Sequence, residues 1–326
     1  MSYKKWLIGF ATADAMGVPV EGYKSEKLKN DPVKNMRGFG SWNQPAGTWS
    51  DDTSLTITTM ESIARLKKID YNDIMNNFVK WYDKGEFTAD GLFDVGITTR
   101  RGIINFKNGV PATESGPDGE YDNGNGSLMR IMPVAMYLHS IYGNNFNADA
   151  MDVIHNVSSL THGHAISKMA CGIYCLIAAE LLEGKSIKES ITTGLSKGKA
   201  YYEKDEDFKM HMKHFIRLYD DNFAQLPEKD IMSGGYVIES IEAAIWCLLN
   251  TNDFKSLILK AVNRGHDTDT TAAISAGLGG LAYNVEDLPK EWINTLRKKE
   301  YLESIEENFY DSINSLVNKT RSSHNE

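Results

Sequence analysis

A segment of small apolar residues that begins with two acids constrains the fold of this chain most strongly. Residues 264–283 read RGHDTDTTAAISAGLGGLAY, and Ala273, Ala276, Gly277 and Gly280 recur in it at helical spacing. Side chains three and four residues apart share one face of an α-helix, so this face can lie almost flush against neighbouring helices. We therefore predict a buried helix whose first turn is held still.

The first turn of this predicted helix carries Asp267, Asp269 and Thr270. Their oxygens are hard donors suited to Mg²⁺, Mn²⁺ or Ca²⁺. The alternative is an ordinary helix cap, because Asp and Thr also favour the helix N-terminus and its dipole. An EF-hand is excluded, since counting from Asp267 puts Ala272 at position six and Leu278 at position twelve, where Gly and Glu are required.

A second oxygen-rich helix start lies more than two hundred residues earlier in the chain. Ser50, Asp51, Asp52 and Thr53 precede an apolar-periodic run formed by Leu55, Ile57, Met60, Ile63 and Ala64. Helix N-termini repel cations, so four carboxylates at two such ends favour bound metal over two unrelated caps. We expect the two helix starts to converge on one pair of cations.

The rest of the chain shows helical periodicity almost throughout. No alternating strand pattern longer than four residues, no fixed-period repeat and no Ser/Gly linker is found. We predict an all-α protein, a single compact orthogonal multi-helix domain over residues 1–319 with a dinuclear metal cleft, followed by a polar tail at 320–326. The predicted helices span 4–16, 53–67, 71–83, 92–107, 127–141, 147–160, 165–183, 186–201, 207–219, 236–249, 253–262 and 268–282.

Charge and cysteine content limit the partners and the compartment. The net charge of −9 disfavours nucleic acid as the main ligand, because neutralising phosphates requires basic patches. Cys171, Cys175 and Cys247 are odd in number and lie in apolar runs, as expected of buried free thiols in a reducing compartment. We find no stretch that approaches the roughly eighteen apolar residues of a membrane span and expect a cytoplasmic protein without a membrane partner.

Seven separated motifs together resemble the ADP-ribosyl-glycohydrolase family, which includes the dinitrogenase-reductase-activating glycohydrolases. They occur in the family's order from Gly9 to about Tyr283: GFATADAMGVPVEG, GTWSDDTSLT, FDVGITTRRG, NGNGSLMRIMPVAM, THGH, GGYVIESIEAAIW and RGHDTDTTAAI. The resemblance implies an all-helical fold and two divalent cations, Mg²⁺ or Mn²⁺. It also implies hydrolysis of the glycosidic bond that joins ADP-ribose to a side chain, so that the partner is an ADP-ribosylated protein or another ADP-ribose conjugate.

The resemblance places the metal ligands on Ser50, Asp51, Asp52, Asp267, Asp269 and Thr270. Glu21 is the first candidate for the group that moves the proton, and Asp94 is the second, with Asp269 both a ligand and a catalytic candidate. A solvated loop glutamate is the alternative for Glu21, and a helix N-cap is the alternative for Asp94. An acid at position 94 is also suited to bidentate pairing with a guanidinium. Asp14 is expected to hydrogen-bond the metal ligands or water without being a ligand itself.

The substrate-binding candidates also follow from the family motifs. The resemblance makes Gly124, Asn125, Gly126 and Ser127 a cradle for pyrophosphate and ribose at the start of the helix that contains Met129, although NGNG alone is a turn signal. His162 is assigned to the substrate ribose and Tyr236 to stacking on adenine. A histidine and a tyrosine of the core are the respective alternatives.

Three positions differ from the family pattern, and several functions remain open. Ala13, Ala165 and His266 replace a common glycine, proline and glycine, respectively, and none removes a ligand. The favoured function is removal of ADP-ribose from a protein side chain, with arginine the preferred linkage. The alternatives are hydrolysis of O-linked ADP-ribose (on serine, or O-acetyl-ADP-ribose) and a non-catalytic member that binds ADP-ribose. A nuclease or phosphatase is disfavoured by the acidic charge.

Overall fold

The computed structural model describes residues 5–323, with side chains described as far as residue 317. Fifteen α-helices are formed within this range, and no β-strand is found there. The all-α prediction is therefore confirmed. The helices are α1 Trp6–Gly17, α2 Ser25–Asn30, α3 Asp51–Leu66, α4 Tyr71–Lys84, α5 Ile97–Lys107, α6 Met132–Tyr142, α7 Ala148–Ser159, α8 Ala165–Leu182, α9 Ile187–Tyr202, α10 Glu206–Lys209, α11 Val237–Leu249, α12 Phe254–Val262, α13 Thr268–Ala282, α14 Lys290–Thr295 and α15 Lys299–Ser323.

Short 3₁₀ helices connect several of these elements. They span Val18–Val20, Gly40–Trp42, Ala112–Glu114, Leu128–Arg130, Met212–Tyr219, Phe223–Gln225, Glu228–Asp230 and Val285–Asp287. Two isolated bridges pair Phe39 with Gln44 and Gly124 with Tyr236. Of the predicted tail, residues 320–323 belong to α15, and residues 324–326 lie outside the described range.

Three predicted helices differ from the structure. The helix predicted at 92–107 begins only at Ile97, because Asp94 has a φ of 52° that an α-helix does not allow. The helix predicted at 127–141 begins as a 3₁₀ turn and becomes α-helical only at Met132, next to Pro133, whose missing N–H suits a helix start. The helix predicted at 207–219 divides into the short α10 and a 3₁₀ helix.

Helix α13 lies at the centre of the fold, as its small residues predict. It packs against α1, α3, α8, α11 and α12. The indole N–H of Trp6 on α1 donates to the carbonyl of Gly277 at 2.9 Å, and a Cβ on Gly277 would lie 2.1 Å from the hydroxyl of Tyr174 on α8. At the other end of α1, a Cβ on Gly17 would lie 2.3 Å from the backbone of Asp269. Glycine at both positions is therefore required for the helices to approach.

Helix α8 corrects the expectation that no stretch approaches the length of a membrane span. Ala165–Leu182 is long and apolar enough to cross a bilayer by length and composition. The expectation failed because the apolar residues of this segment, such as Ile166, Met169 and Ile173, have the three-four spacing of a helix face in a protein core, whereas its mean hydropathy also suits a membrane span. In the structure 89% of this 18-residue window is buried by neighbouring elements, as in the core helix of a globular domain. Cys171 and Cys175 lie on it, and like Cys247 they are buried free thiols.

Candidate metal and substrate site

The two oxygen-rich helix starts meet in space. Ser50 is the N-cap of α3, and Asp267 is the N-cap of α13. The hydroxyls of Ser50 and Thr270 both contact Oδ2 of Asp52 at 3.1 Å. Thr270 therefore contacts Asp52 across 218 positions of the chain, which is the convergence that the sequence predicts.

Asp14 on α1 holds the start of α3 in place. Its carboxylate accepts hydrogen bonds from the backbone N–H of Ser50 at 3.0 Å and of Thr53 at 3.1 Å, and from the Thr53 hydroxyl at 2.6 Å. Complete burial nevertheless raises the pKa of Asp14 to about 6. The side chain therefore substitutes for a capping residue on α3, as a partner of the candidate ligands.

Four carboxylates surround that of Asp269 in two groups. Oxygens of Asp14, Asp52 and Asp269 lie within 4.8 Å of one another, and so do oxygens of Glu21, Asp94 and Asp269. Burial, followed by repulsion from neighbouring acids, raises the pKa of Asp52 and of Asp269 well above the ordinary value. The pKa of Asp51 is raised well above the ordinary value for the same reasons, and burial also raises the pKa of Asp267. All these groups therefore favour a neighbouring positive charge.

The donor set fits divalent cations on an observation independent of this charge. Asp52 Oδ1 and Asp269 Oδ2 are buried, and neither has a hydrogen-bond partner within the part of the chain that the structure describes. A buried carboxylate oxygen without a partner is strongly unfavourable unless a cation or proton satisfies it. Mg²⁺ and Mn²⁺ take carboxylate and hydroxyl oxygens as ligands, which are the atoms gathered here.

Glu21 and Asp94 reach the cluster from irregular segments. Glu21 follows the 3₁₀ turn Val18–Val20, and its Oε2 accepts a short hydrogen bond from the indole N–H of Trp42. Burial and the neighbouring Asp94 raise the pKa of Glu21 to about 8. Glu21 is therefore not a solvated loop residue.

Asp94 lies three residues before α5, so the helix N-cap interpretation is wrong. Its left-handed backbone turns the side chain back toward Asp269, and burial raises its pKa to about 6. Because its carboxyl also interacts with those of Glu21 and Asp269, these three acids share protons in the absence of a cation.

A cleft of about 360 Å³ opens onto the carboxylates. It is lined by candidates from six of the seven motifs: Glu21, Asp51, Asp94, Gly124, Asn125, Gly126, Met129, His162, Asp267 and Thr270. A second cavity of about 800 Å³ meets this cleft at Gly124 and Gly235 and is lined in part by Tyr236, which is 38% exposed. Carboxylates thus line one of two cavities that share these glycines, and an accessible aromatic ring lines the other.

The glycine loop differs from the predicted cradle in two respects. The 3₁₀ turn that follows it spans only Leu128–Arg130, so the helix dipole invoked for a diphosphate is absent. The Ser127 side chain is fully buried and its oxygen contacts Ser158 at 2.9 Å, so it faces the core and not the cleft. The Ser127 side chain therefore does not line the cleft, whereas a contact between this loop, Ser127 included, and a substrate stays a prediction.

Asn125 has a role that the sequence motif did not indicate. Its backbone N–H donates to Gly235 at 3.0 Å, and its side-chain amide donates to Asp267 Oδ2 at 2.7 Å and to Ser240 at 2.9 Å. The amide therefore orients a candidate ligand, and its backbone fixes the loop to the start of α11. Because Asn125 also lines the cleft, its contact with a ligand remains a prediction.

His162 lies in the turn between α7 and α8 and is not part of a helix. Its ring is buried at the cleft wall beside Gly126, where an added Cβ would lie 2.8 Å from His162 Cε1 and 2.9 Å from the Thr99 hydroxyl. Burial and, to a lesser extent, the nearby Arg130 cation lower the pKa of His162 to about 3. The ring is therefore neutral at physiological pH.

Sequence reasoning missed Thr99, which lines the cleft, and Trp42, which contacts Glu21. Trp42 bonds Glu21 across 21 positions, and its only signal was an aromatic-rich irregular stretch. Thr99 was placed in a helix without a role, although it follows FDVG by three positions and lines the cleft. Neither is identified by spacing, because both depend on how loops fold over the helix ends.

Comparison with known proteins gives one consistent answer. The model of the ADP-ribosylglycohydrolase family matches residues 2–320. ADP-ribosylarginine hydrolase Tri1 from Pseudomonas putida is 28% identical over 94% of this chain and 76% of its own length. ADP-ribosyl-[dinitrogen reductase] glycohydrolase from Rhodospirillum rubrum is 28% identical over 90% of this chain and 89% of its own length. A solved structure described as an ADP-ribosylglycohydrolase-related protein complex superposes with a TM-score of 0.76 at 25% identity, over 94% of this chain and 96% of that chain.

Proposed function

Because this chain belongs to the ADP-ribosylglycohydrolase family, we propose that it hydrolyses the bond between ADP-ribose and an arginine side chain of a protein. The observation that carries the proposal is the convergence of the fully buried Asp52 and Asp269 with Thr270, which lines a cleft together with Glu21 and Asp94. Three free and buried cysteines are consistent with the cytoplasmic location that we also propose.

We propose that Mg²⁺ or Mn²⁺ is held by Ser50, Asp51, Asp52, Asp267, Asp269 and Thr270. Two such cations would supply positive charge for vicinal ribose hydroxyls and for acidifying a water molecule. Asp14 and Asn125 keep this set in position, because Asp14 bonds the first turn of α3 and Asn125 bonds Asp267.

The residues of the chain divide the chemical work. Cleavage at the anomeric carbon passes through an oxocarbenium-like state, which carboxylates close to the sugar stabilise. Glu21 is the group that exchanges a proton with water or the leaving group, since burial beside Asp94 gives it a pKa near the working pH. Asp94 is a second anionic partner at the cleft wall, placed to receive a guanidinium.

The cleft, with the cavity that adjoins it, would accommodate an ADP-ribose conjugate. Its carboxylate end would hold the ribose attached to the side chain, and the diphosphate would pass the backbone of Gly124 and Gly235, where the two cavities meet. Tyr236 lies beyond that junction with an exposed ring, suited to stacking on adenine. The arginine linkage rests on the acids at the cleft and on the relative in Pseudomonas putida, whose name specifies ADP-ribosylarginine.

Release of free ADP-ribose from modified proteins tests the proposal. We expect release from an arginine-modified protein with Mn²⁺ or Mg²⁺, and loss of at least about a hundredfold in rate with Asp52→Asn or with chelator. Asp253→Asn is the matched control, because Asp253 caps α12 on the surface away from the cleft. Release that persists undiminished under chelation would refute the metal-dependent mechanism.

A serine-modified protein and O-acetyl-ADP-ribose, offered in parallel, decide the linkage. If either is turned over faster than the arginine-modified protein, the substrate of the site is an O-linked conjugate and not an arginine-linked one. Tight binding of ADP-ribose with no turnover of any conjugate would support the non-catalytic alternative.

A further inference from the structure

A buried arginine lies behind the cleft, and no acidic side chain among the described residues pairs with it. Arg130 is fully buried, and its guanidinium carbon lies 4.8 Å from the centre of the Phe78 ring. Its Nη2 donates to the Val157 carbonyl at 3.1 Å and to the Thr161 hydroxyl at 2.7 Å, which uses both protons of that nitrogen. Its Nε and Nη1 have no hydrogen-bond partner among the described residues. A buried and unpaired cation is unfavourable for stability alone, so its position calls for a role.

The hydroxyl of Thr161 connects this cation to the histidine of the cleft. Thr161 Oγ1 lies 2.9 Å from His162 Nδ1, and both residues are buried. An arginine can only donate, so the hydroxyl oxygen accepts from Arg130. Its own proton then requires an acceptor, and His162 Nδ1 is the only acceptor that the described residues place within bonding distance of this hydroxyl.

We propose that Arg130 and Thr161 form a donor relay that fixes His162 as the neutral tautomer with its proton on Nε2. If Nδ1 carried the proton instead, the Thr161 hydroxyl would accept from both neighbours and its proton would be buried without a partner, which is unfavourable. Arg130 and Thr161 are therefore positioning residues for His162.

The protonated Nε2 points to the substrate side of the cleft. A Cβ on Gly124 would lie 3.4 Å from His162 Nε2, and one on Gly126 would lie 3.3 Å from it, so the nitrogen faces the glycine loop. The low pKa of His162 keeps the ring uncharged, since burial and the Arg130 cation both oppose a second proton. The cleft thus presents a permanent N–H donor, suited to a ribose or phosphate oxygen, in addition to its carboxylate acceptors.

The benefit for binding rests on the proposed function, whereas the tautomer does not. A histidine in the other tautomer would present a lone pair to a substrate oxygen, and the hydrogen bond would become a repulsion. Thr161→Val tests this directly, because valine has nearly the shape of threonine but no hydroxyl. Thr161→Ser is the matched control, since it retains the hydroxyl and loses only a methyl group.

Long-range ¹H–¹⁵N spectra of ¹⁵N-histidine-labelled full-length protein read the tautomer without substrate. The chain has eight histidines, and His162→Gln identifies the signals of His162. We expect an unprotonated Nδ1 and a protonated Nε2 for the wild type and for Thr161→Ser across the range of about pH 5 to 8, where ordinary histidines titrate. A protonated Nδ1 in the wild type overturns the proposal whatever the variants do.

The variants and the activity assay complete the test. In Thr161→Val the Nε2-protonated form should give way to a mixture of tautomers, and kcat/KM for an ADP-ribosylated substrate should fall about tenfold, mainly through KM. Thr161→Ser should remain within about twofold of the wild type. Unchanged His162 signals in Thr161→Val, or equal losses in the two variants, would contradict the relay. If the spectra behave as expected but neither the wild type nor any variant releases ADP-ribose, the relay is supported and the proposed function is refuted.

Discussion

Asp269→Asn should stabilise the protein without metal and weaken its response to metal. Asp269 Oδ1 accepts from the backbone N–H of Thr270 at 3.0 Å, and Oδ2 is buried without a partner in the described chain. Asparagine has the same shape and keeps the Oδ1 acceptor. Its NH₂ group replaces Oδ2 and becomes a donor among the oxygens of the neighbouring carboxylates. The change therefore removes a repulsive charge and loses no hydrogen bond.

The magnitude follows from the spacing of the acids. Oxygens of Asp269 and of its neighbours Asp52 and Asp14 lie within 4.8 Å of one another. At that separation and an effective dielectric constant of about 20, two unit charges repel by roughly 3.5 kcal/mol. We expect Asp269→Asn to raise the free energy of unfolding of the chelated protein at pH 8 by about 3 kcal/mol. For a chain of this size that raises Tm by roughly 4 °C.

Thermal unfolding in chelator and in Mn²⁺ is the assay. A cation at a hundred times its Kd adds about 2.7 kcal/mol to the wild type. If the lost ligand weakens binding a hundredfold, the gain for Asp269→Asn falls to about 0.4 kcal/mol at the same concentration. The variant should therefore be the more stable protein in chelator and should gain little from Mn²⁺.

Asp253→Asn is the control, because it should change the stability of the protein in the opposite direction. Asp253 accepts from the backbone N–H of Ser256 at 2.8 Å and from its hydroxyl at 2.7 Å, and these bonds lower the pKa of the Asp253 carboxyl. Its replacement should destabilise the protein slightly, by the same amount with and without Mn²⁺. If Asp269→Asn also lowers Tm in chelator at pH 8, repulsion among the acids does not dominate the site.

Three further predictions concern the same region. In chelator, the free energy of unfolding should fall as pH rises from about 4 to 8, because raised carboxyl pKa values make the folded state bind more protons than the unfolded state. The rise in the pKa of Asp14 to about 6 alone corresponds to about 3 kcal/mol. The rise in the pKa of Glu21 to about 8 extends the loss of stability to higher pH. Urea unfolding at a series of pH values measures this, and a stability that rises over the range would contradict it. Gly17→Ala should lower the free energy of unfolding in urea by about 1–3 kcal/mol, because its Cβ would lie 2.3 Å from the backbone of α13. Gly96→Ala, whose Cβ would have its nearest contact at 3.5 Å, should leave the stability nearly unchanged. Equal effects of the two substitutions would exclude the close approach of the helices as the cause. Trp42→Phe removes a hydrogen bond that lowers the pKa of Glu21, so the pKa of that carboxyl in chelator, measured by ¹³C NMR, should rise further; an unchanged value would show that the indole does not contribute.

The helix starts at Ser50 and Asp267 were predictable because their information is local. A capping residue, acids in the first turn and apolar periodicity fix where α3 and α13 begin. Their convergence followed from charge, since carboxylates concentrated at helix N-termini require a shared positive partner. The small face of α13 predicted its burial for an equally local reason, the absence of side-chain volume.

The positions of Asp94, Ser127 and Trp42 were not predictable, because each depends on contacts distant in sequence. Asp94 has a left-handed backbone that no local signal demands, and it lies where a helix start was expected. Ser127 belongs to a motif associated with ligand binding, but its hydroxyl is satisfied by Ser158 on another element. A motif thus locates the binding segment, whereas packing decides which of its side chains face the ligand.

Three acids of this site, Asp14, Asp52 and Asp269, are held together by the packing of three helices. Asp14 on α1 bonds the first turn of α3, and Gly17, one turn later, lets α1 touch the backbone of Asp269 on α13. Thr270 on α13 then bonds Asp52 on α3, which closes the set of contacts. Separating any two of the acids would require these helices to move apart and would break the close packing of α1 on α13. The small residues of α13 therefore do more than fill the core, because they oppose the mutual repulsion of the carboxylates that a divalent cation would otherwise have to overcome alone.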